Sequence, residues 1–230
     1  MNFAKPCIDV GLNTSSGEAM LRFWREEVGL AYEGPLLIRR GVMQHRFECD
    51  RSIVKVNVHA SALVHEPASG YREVLVAKPG LRSPMRLQDP DGNLVCLWPA
   101  GVGGLDQIGV RLGVRDLTRH RSFFGKTLGL EEHASPYPGS TCFAVGRSRL
   151  ILQEDLDGAI DAGFGGAGWR YITLQVFKVD EVHSRLLAGG AREAMAPKTL
   201  GTTARVSMVL DPDGNWIELS QRASLVGSLA

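Results

Sequence analysis

One pentapeptide, Asp-Pro-Asp-Gly-Asn, occurs twice in this chain, at 89–93 and at 211–215. The copies are followed by the short runs Leu94-Val95-Cys96-Leu97 and Trp216-Ile217-Glu218-Leu219. Proline presets φ at the first turn position, aspartate tolerates the second, and glycine takes the left-handed position that reverses the chain. Each copy therefore predicts a tight hairpin turn feeding a strand. Alternation along the strand puts Leu94, Cys96 and Trp98 on one face, and Trp216, Glu218 and Ser220 on the matching face of the second copy. Glu218 is then expected mid-strand between residues that read as buried. A carboxylate there requires a metal, a basic side chain or a ligand.

The turns close a longer repeat. Residues 7–14 alternate as a strand, and Met20, Phe23, Trp24 and Val28 make an apolar helical stripe that Gly29 stops. Runs at 36–38, 42–47 and 53–58 read as strands, giving β-α-β-β-β for the first sixty residues. A loop over 61–70 leads to strands at 71–76 and 85–87 and the first hairpin, with no helix between them. The glycine-rich stretch 99–104 marks a boundary. Beyond it, Ile108-Gly109-Val110-Arg111-Leu112 stands to Ile8-Asp9-Val10-Gly11-Leu12, Phe123-Phe124 to Phe23-Trp24, and Tyr171 to Tyr71. An extra helix is predicted over 179–188, with an aspartate N-cap candidate and the double glycine 189–190 as its stop. The fold expected is α+β, two tandem domains of paired β-α-β-β-β units, the second unit of the first domain lacking its helix. Their limits are 1–100 and 105–222, with a C-terminal tail at 223–230.

Composition narrows the function. The 230 residues are 44% hydrophobic and carry a formal net charge of +1. The chain can bury one or two cores, and no global field favours nucleic acid or an acidic membrane. Arg39-Arg40 and Arg119-His120-Arg121 read as solvated faces. Cys7, Cys49, Cys96 and Cys142 form no C-x-x-C pair, which suits a reduced cytoplasm. The N-terminus lacks a signal-peptide core, and no apolar run approaches the ~18 residues that span a bilayer. Among the six histidines none is spaced to share a metal with another. His120 and His183 fall on predicted helix surfaces, whereas His45, His59, His65 and His133 lie on strands or at their ends. His59 and His133 are the two placed to act as a general base. The glycine-rich run 158–168 lacks a phosphate-loop ending and reads as a linker or lid.

The paired units, the Phe-aromatic-x5-Gly-Leu helix end and the Asp-Pro-Asp-Gly-Asn hairpins together resemble the vicinal oxygen chelate superfamily. That superfamily includes glyoxalases, extradiol dioxygenases, fosfomycin resistance enzymes and bleomycin-binding proteins. The resemblance runs from about residue 7 to 222. It implies that two units curl their sheets into an open β-cup in each domain. It also implies a divalent metal, when present, on the first and last strands, held by histidine, glutamine or glutamate. Those positions fall here on Asp9 and Cys96 in the first half and on Gly109 and Glu218 in the second, with Tyr71 and Tyr171 in the second unit of each half. No histidine stands at any of them, so Asp9, Cys96 and Glu218 are the only metal candidates, too few in either cup for the three protein ligands a catalytic metal needs.

Strand parity lines the second cup with Gly109, Arg111, Gly113, Tyr171, Thr173, Gln175, Trp216 and Glu218. Arg111 is expected to pair with Glu218 in the space where relatives keep a metal, unless the register is shifted by one residue and Arg111 points to solvent. Arg111→Met is then expected to abolish ligand binding or destabilise the fold. With the first domain read as a support, Arg111, Tyr171, Thr173, Gln175, Trp216 and Glu218 are the candidate ligand-binding residues, and Glu218 is the candidate acid or base. The function expected is recognition of a small organic molecule, flat or aromatic and anionic, without the metal. The alternative is a divalent-metal-dependent dioxygenase, lyase or isomerase. The partners expected are a small molecule and neither nucleic acid nor membrane, with a homo-oligomer left open.

Overall fold

The computed structural model describes residues 1–229. The first unit runs β1 (Phe3–Thr14), α1 (Gly17–Arg22), which widens into a π turn over Phe23–Glu27, then β2 (Ala31–Arg39), β3 (Val42–Cys49) and β4 (Ser52–His59). The second unit is β5 (Tyr71–Lys78), β6 (Met85–Gln88) and β7 (Leu94–Pro99), without a helix. The third is β8 (Ile108–Val114), α2 (Leu117–Ser122) with its π turn over Phe123–Thr127, β9 (Glu131–His133), β10 (Thr141–Val145) and β11 (Ser148–Glu154). The fourth is β12 (Gly168–Val176), α3 (Val179–Ala188), β13 (Arg192–Leu200), β14 (Ala204–Leu210) and β15 (Trp216–Arg222), followed by one short helix, α4 (Ala223–Val226), inside the expected tail.

Local chemistry explains these boundaries. Gly29 takes φ +67° directly after the first helix, a left-handed stop that L side chains resist. In each hairpin the first aspartate carboxylate caps the turn. Asp89 Oδ1 accepts from the Asp91 and Asn93 amides, and Asp211 Oδ1 accepts from those of Asp213 and Asn215. Helix α3 has no aspartate cap. Its first N–H, that of Val179, donates to the side chain of Gln221 on β15 at 3.0 Å.

The fold is mixed α+β with two open sheets, but the sheets do not follow the halves of the sequence. One has the order β13-β14-β15-β12-β1-β4-β3-β2, the other β6-β7-β5-β8-β11-β10-β9. The first unit thus shares a sheet with the fourth, and the second with the third. Antiparallel pairing of β1 with β12 sets Asp9 opposite Thr173 and Gly11 opposite Tyr171, and pairing of β5 with β8 sets Glu73 opposite Arg111. Connection length gives the reason. The short link from β7 to β8 keeps the middle units adjacent, whereas the longer segments 60–70 and 155–167 carry the chain between the sheets.

The core lies between the sheets and the helices. Ile8, Val10 and Leu12 of β1 and Ile172, Leu174 and Val176 of β12 join Trp24, Phe47, Phe124 and Phe143 in one continuous cluster. Because side chains alternate, the opposite face of the same strands, carrying Asp9, Gly11, Tyr171, Thr173 and Gln175, turns toward the concave side of the eight-stranded sheet. No helix among the described residues is long and apolar enough to cross a membrane.

Candidate functional site

The concave side of the eight-stranded sheet holds a cavity of about 470 Å³, within the usual range for small-molecule sites. Tyr171, Gln175, Glu218, Ser220 and Arg222 line it from the fourth unit, and Asn13, Gln44, Arg46, Lys55, Asn57 and His59 from the first. Leu36, Ile38, Val42, Met195, Leu200, Val206 and Met208 make its rim and sides apolar. Neither half of the sequence builds this site alone.

At the floor, Lys55 Nζ donates to Glu218 Oε2 at 2.8 Å and to Thr173 Oγ1 at 2.6 Å, and the Thr173 hydroxyl donates to the same Glu218 oxygen at 2.6 Å. The Lys55 side chain is 7% exposed and that of Glu218 15%. The cation that Glu218 requires is therefore Lys55 and not Arg111. Lysine is the odd residue in the otherwise apolar start of β4, Ile53-Val54-Lys55-Val56, and that break in the pattern was the available signal. Lys55 also stands 5.3 Å from the centre of the Tyr171 ring.

Beside the ion pair runs a chain of amides whose direction is set at one end. The carbonyls of Phe164 and Gly166 can only accept, so Asn13 Nδ2 donates to them at 2.8 and 3.2 Å. Asn13 Oδ1 then accepts from Asn57 Nδ2, and Asn57 Oδ1 from Gln44 Nε2. The Tyr171 oxygen accepts from Gln44 Nε2 at 3.4 Å and Asn57 Nδ2 at 3.3 Å, so its own hydrogen is available to the cavity. Burial, reinforced by the Glu218 charge, raises the phenol pKa far above its ordinary value and keeps that hydrogen in place. A side chain on Gly11 would not fit here, because a Cβ would come within 2.2 Å of the Tyr171 ring. Gly11→Ala is expected to cost about 1–3 kcal/mol and displace the phenol, measurable as a lower melting temperature. An unchanged melting temperature would contradict this packing.

The other candidates divide. Gln175 Nε2 donates to Asp9 Oδ2 at 3.3 Å, leaving Gln175 Oε1 buried without a partner. Asp9 is further satisfied by Lys5 at 2.7 Å and the Ile53 amide at 2.9 Å. Trp216 anchors the 155–167 segment, its indole N–H donating to the Ala162 carbonyl at 3.0 Å and its ring meeting Phe164. That segment is tied down by Asn13, Glu66 and Arg170 as well, and Phe164 with Gly165 forms an end wall of the cavity.

Arg111 and Cys96 lie on the seven-stranded sheet, whose concave face is filled by the chain itself. Leu75, Cys96, Trp98, Leu105, Cys142 and Ile151 form a separate apolar cluster there, with Tyr137 packed on it. A Cβ on Gly109 would meet Leu105 Cδ2 at 3.2 Å, so Leu105 covers the position where the resemblance expected a ligand. Arg111 pairs with the fully buried Glu73 and reaches Gln153 Oε1 at 2.5 Å, while Arg86 Nε meets the other Glu73 oxygen at 3.1 Å. What remains at this end is a smaller pocket of about 240 Å³ beside Arg111 and Gln153.

A family model described as the glyoxalase/bleomycin resistance protein/dioxygenase superfamily matches residues 104–219. The chain belongs to this superfamily. A glyoxalase I mutant from Zea mays superposes with TM-score 0.76 at 14% identity, covering 97% of each chain. A candidate dioxygenase from Bacillus subtilis gives TM-score 0.68 at 12% identity, covering 93% of this chain and 84% of the other. At these identities the likeness is one of fold. No curated protein matches the sequence.

Within the superfamily's fold, the donor set on the eight-stranded sheet does not suit a resident divalent ion. Asp9 already accepts three hydrogen bonds, one of them from the Lys5 ammonium, Thr173 is neutral, and an ammonium group already sits on Glu218 and would repel a second cation. Among the described residues no three His, Cys, Asp or Glu side chains are grouped to hold a metal.

The histidines depart partly from expectation. His120 and His183, read as helix-surface residues, are 0% and 3% exposed. Burial alone would lower the His120 pKa, but Asp211 and Asp213, 3.5 and 3.6 Å from Nε2, outweigh it and raise it. His183 bridges Ser207 and Glu193. Of the two proposed bases, His59 reaches the cavity, its pKa lowered by burial and by Arg39, whereas His133 faces Glu131 on the edge strand β9 of the other sheet. All four cysteines are buried free thiols.

Proposed function

We propose that this protein binds a small organic molecule in the cup between its first and last units, with the Lys55 ammonium standing where a metal-dependent relative would keep a divalent ion. The observation that carries this reading is the hollow of about 470 Å³ whose floor carboxylate, Glu218, already holds Lys55 at 2.8 Å. The surrounding groups suit ligand recognition. Tyr171 offers a neutral O–H, and the sides are apolar. Glu218 is also the carboxylate placed to move a proton in this cup, should the bound molecule react.

Metal analysis of protein purified without chelator or affinity tag tests the reading against the metal-dependent dioxygenase, lyase or isomerase alternative. Well below one divalent ion per chain is expected. One ion per chain, lost on Glu218→Ala, would establish the alternative and require Lys55 to swing away from Glu218.

A further inference from the structure

Charge is distributed unevenly around the cavity. Its lining carries Arg39, Arg46, Lys55, Lys198 and Arg222 against Glu218 as its one carboxylate. Lys55 is neutralised by Glu218, and Arg46 forms an ion pair with Glu33. Arg39 and Lys198 are exposed at the rim. Arg222 differs from both sets. It is partly buried, it lines the cavity, and its guanidinium has no hydrogen-bond or ion-pair partner among the described residues. On β15 it follows Glu218 and Ser220 on the same face, which sets it beyond Glu218 toward the open end. Burial and the nearby Arg46 both act to lower its pKa, against weaker support from Asp9, Glu33 and Glu218. A guanidinium does not give up its proton in a protein. An unpaired, half-buried fork beside a second arginine is therefore short of an anion, and a planar oxyanion is the shape that satisfies it through two parallel hydrogen bonds.

We propose that the ligand is an organic acid whose carboxylate is taken by Arg222 and whose apolar body lies along Val206, Met208 and Leu36 toward Tyr171. This rests on the small-molecule reading above and adds the charge and the orientation. Glu218 excludes the reverse pose, because a carboxylate placed at the floor would face a like charge across the Lys55 pair.

The test compares acids with neutral counterparts of the same skeleton, 2-naphthoate against 2-naphthalenemethanol and decanoate against decan-1-ol, by calorimetry on wild type, Arg222→Met and Arg222→Lys. In wild type the acid of at least one pair should bind about tenfold or more tighter than its alcohol. Arg222→Met should bring the ratio of acid to alcohol affinity, measured within that variant, to about one, and Arg222→Lys should restore part of the preference. Equal binding of acid and alcohol to wild type, or a preference that survives in Arg222→Met, overturns the carboxylate assignment and leaves the small-molecule reading standing. Binding of none of the four probes overturns both.

Discussion

Replacing Lys55 by methionine is expected to destabilise the protein by about 3 kcal/mol, a fall of roughly 10 °C in melting temperature for a chain of this size. The substitution keeps an unbranched side chain one atom shorter and removes the ammonium together with its hydrogen bonds to Glu218 and Thr173. Glu218 would keep the Thr173 hydroxyl but lose the ammonium at 2.8 Å, at a position where its side chain is 15% exposed. Removing one partner of a buried pair costs more than the pair itself contributes, because the remaining charge is left in a poor solvent. The partial exposure of Glu218 to the cavity places the expected cost at the lower end of the range. The double variant Lys55→Met with Glu218→Gln should recover at least half of the loss, since no charge is then stranded. A Lys55→Met protein that melts within about a degree of wild type would mean that the cavity is wetter than its lining implies and that the pair is not what holds Glu218.

Arg111→Met is expected to show the second large effect, and to separate two roles that the sequence alone merged. Glu73 is fully buried, and Arg111 is the better sheltered of its two cations, 19% exposed against 65% for Arg86. Losing Arg111 should cost about 2–4 kcal/mol, with Glu73→Met added to Arg111→Met returning part of it. Binding in the cup between the first and last units should be unaffected, because Arg111 belongs to the other sheet. A loss of ligand affinity with unchanged stability would instead support the pairing of Arg111 with Glu218 read from strand parity.

Part of the geometry around the cavity was legible by residue, since Tyr171, Gln175 and Glu218 line it while Arg111, Thr173 and Trp216 do not. Parity along β12 put Tyr171, Thr173 and Gln175 on one face, and they do share the face that turns from the core toward the ion pair and the cavity. The requirement that a mid-strand Glu218 have a partner was also sound, and the partner is a basic side chain. Its identity is not legible within one half of the chain, because the partner comes from the other half. Lys55 lies 163 positions away from Glu218 in the sequence. Its only local signal was a polar residue inside an apolar strand, the same signal that Asn57 gives two residues later.

Local chemistry along the chain encodes the units. The repeated aspartate turns, the glycine stops at positive φ and the alternation of apolar residues are local effects, decided by backbone sterics and by which face of a strand meets the core. Which unit meets which is a property of the assembled fold. Every unit presents strands of the same period, so periodicity is blind to their partners, and the choice depends on the length of the connections and on how the sheets close over one core. That choice pairs β1 with β12, brings Lys55 to Glu218 and leaves a cavity above them, and it pairs β5 with β8 under a loop whose Leu105 fills the other cup.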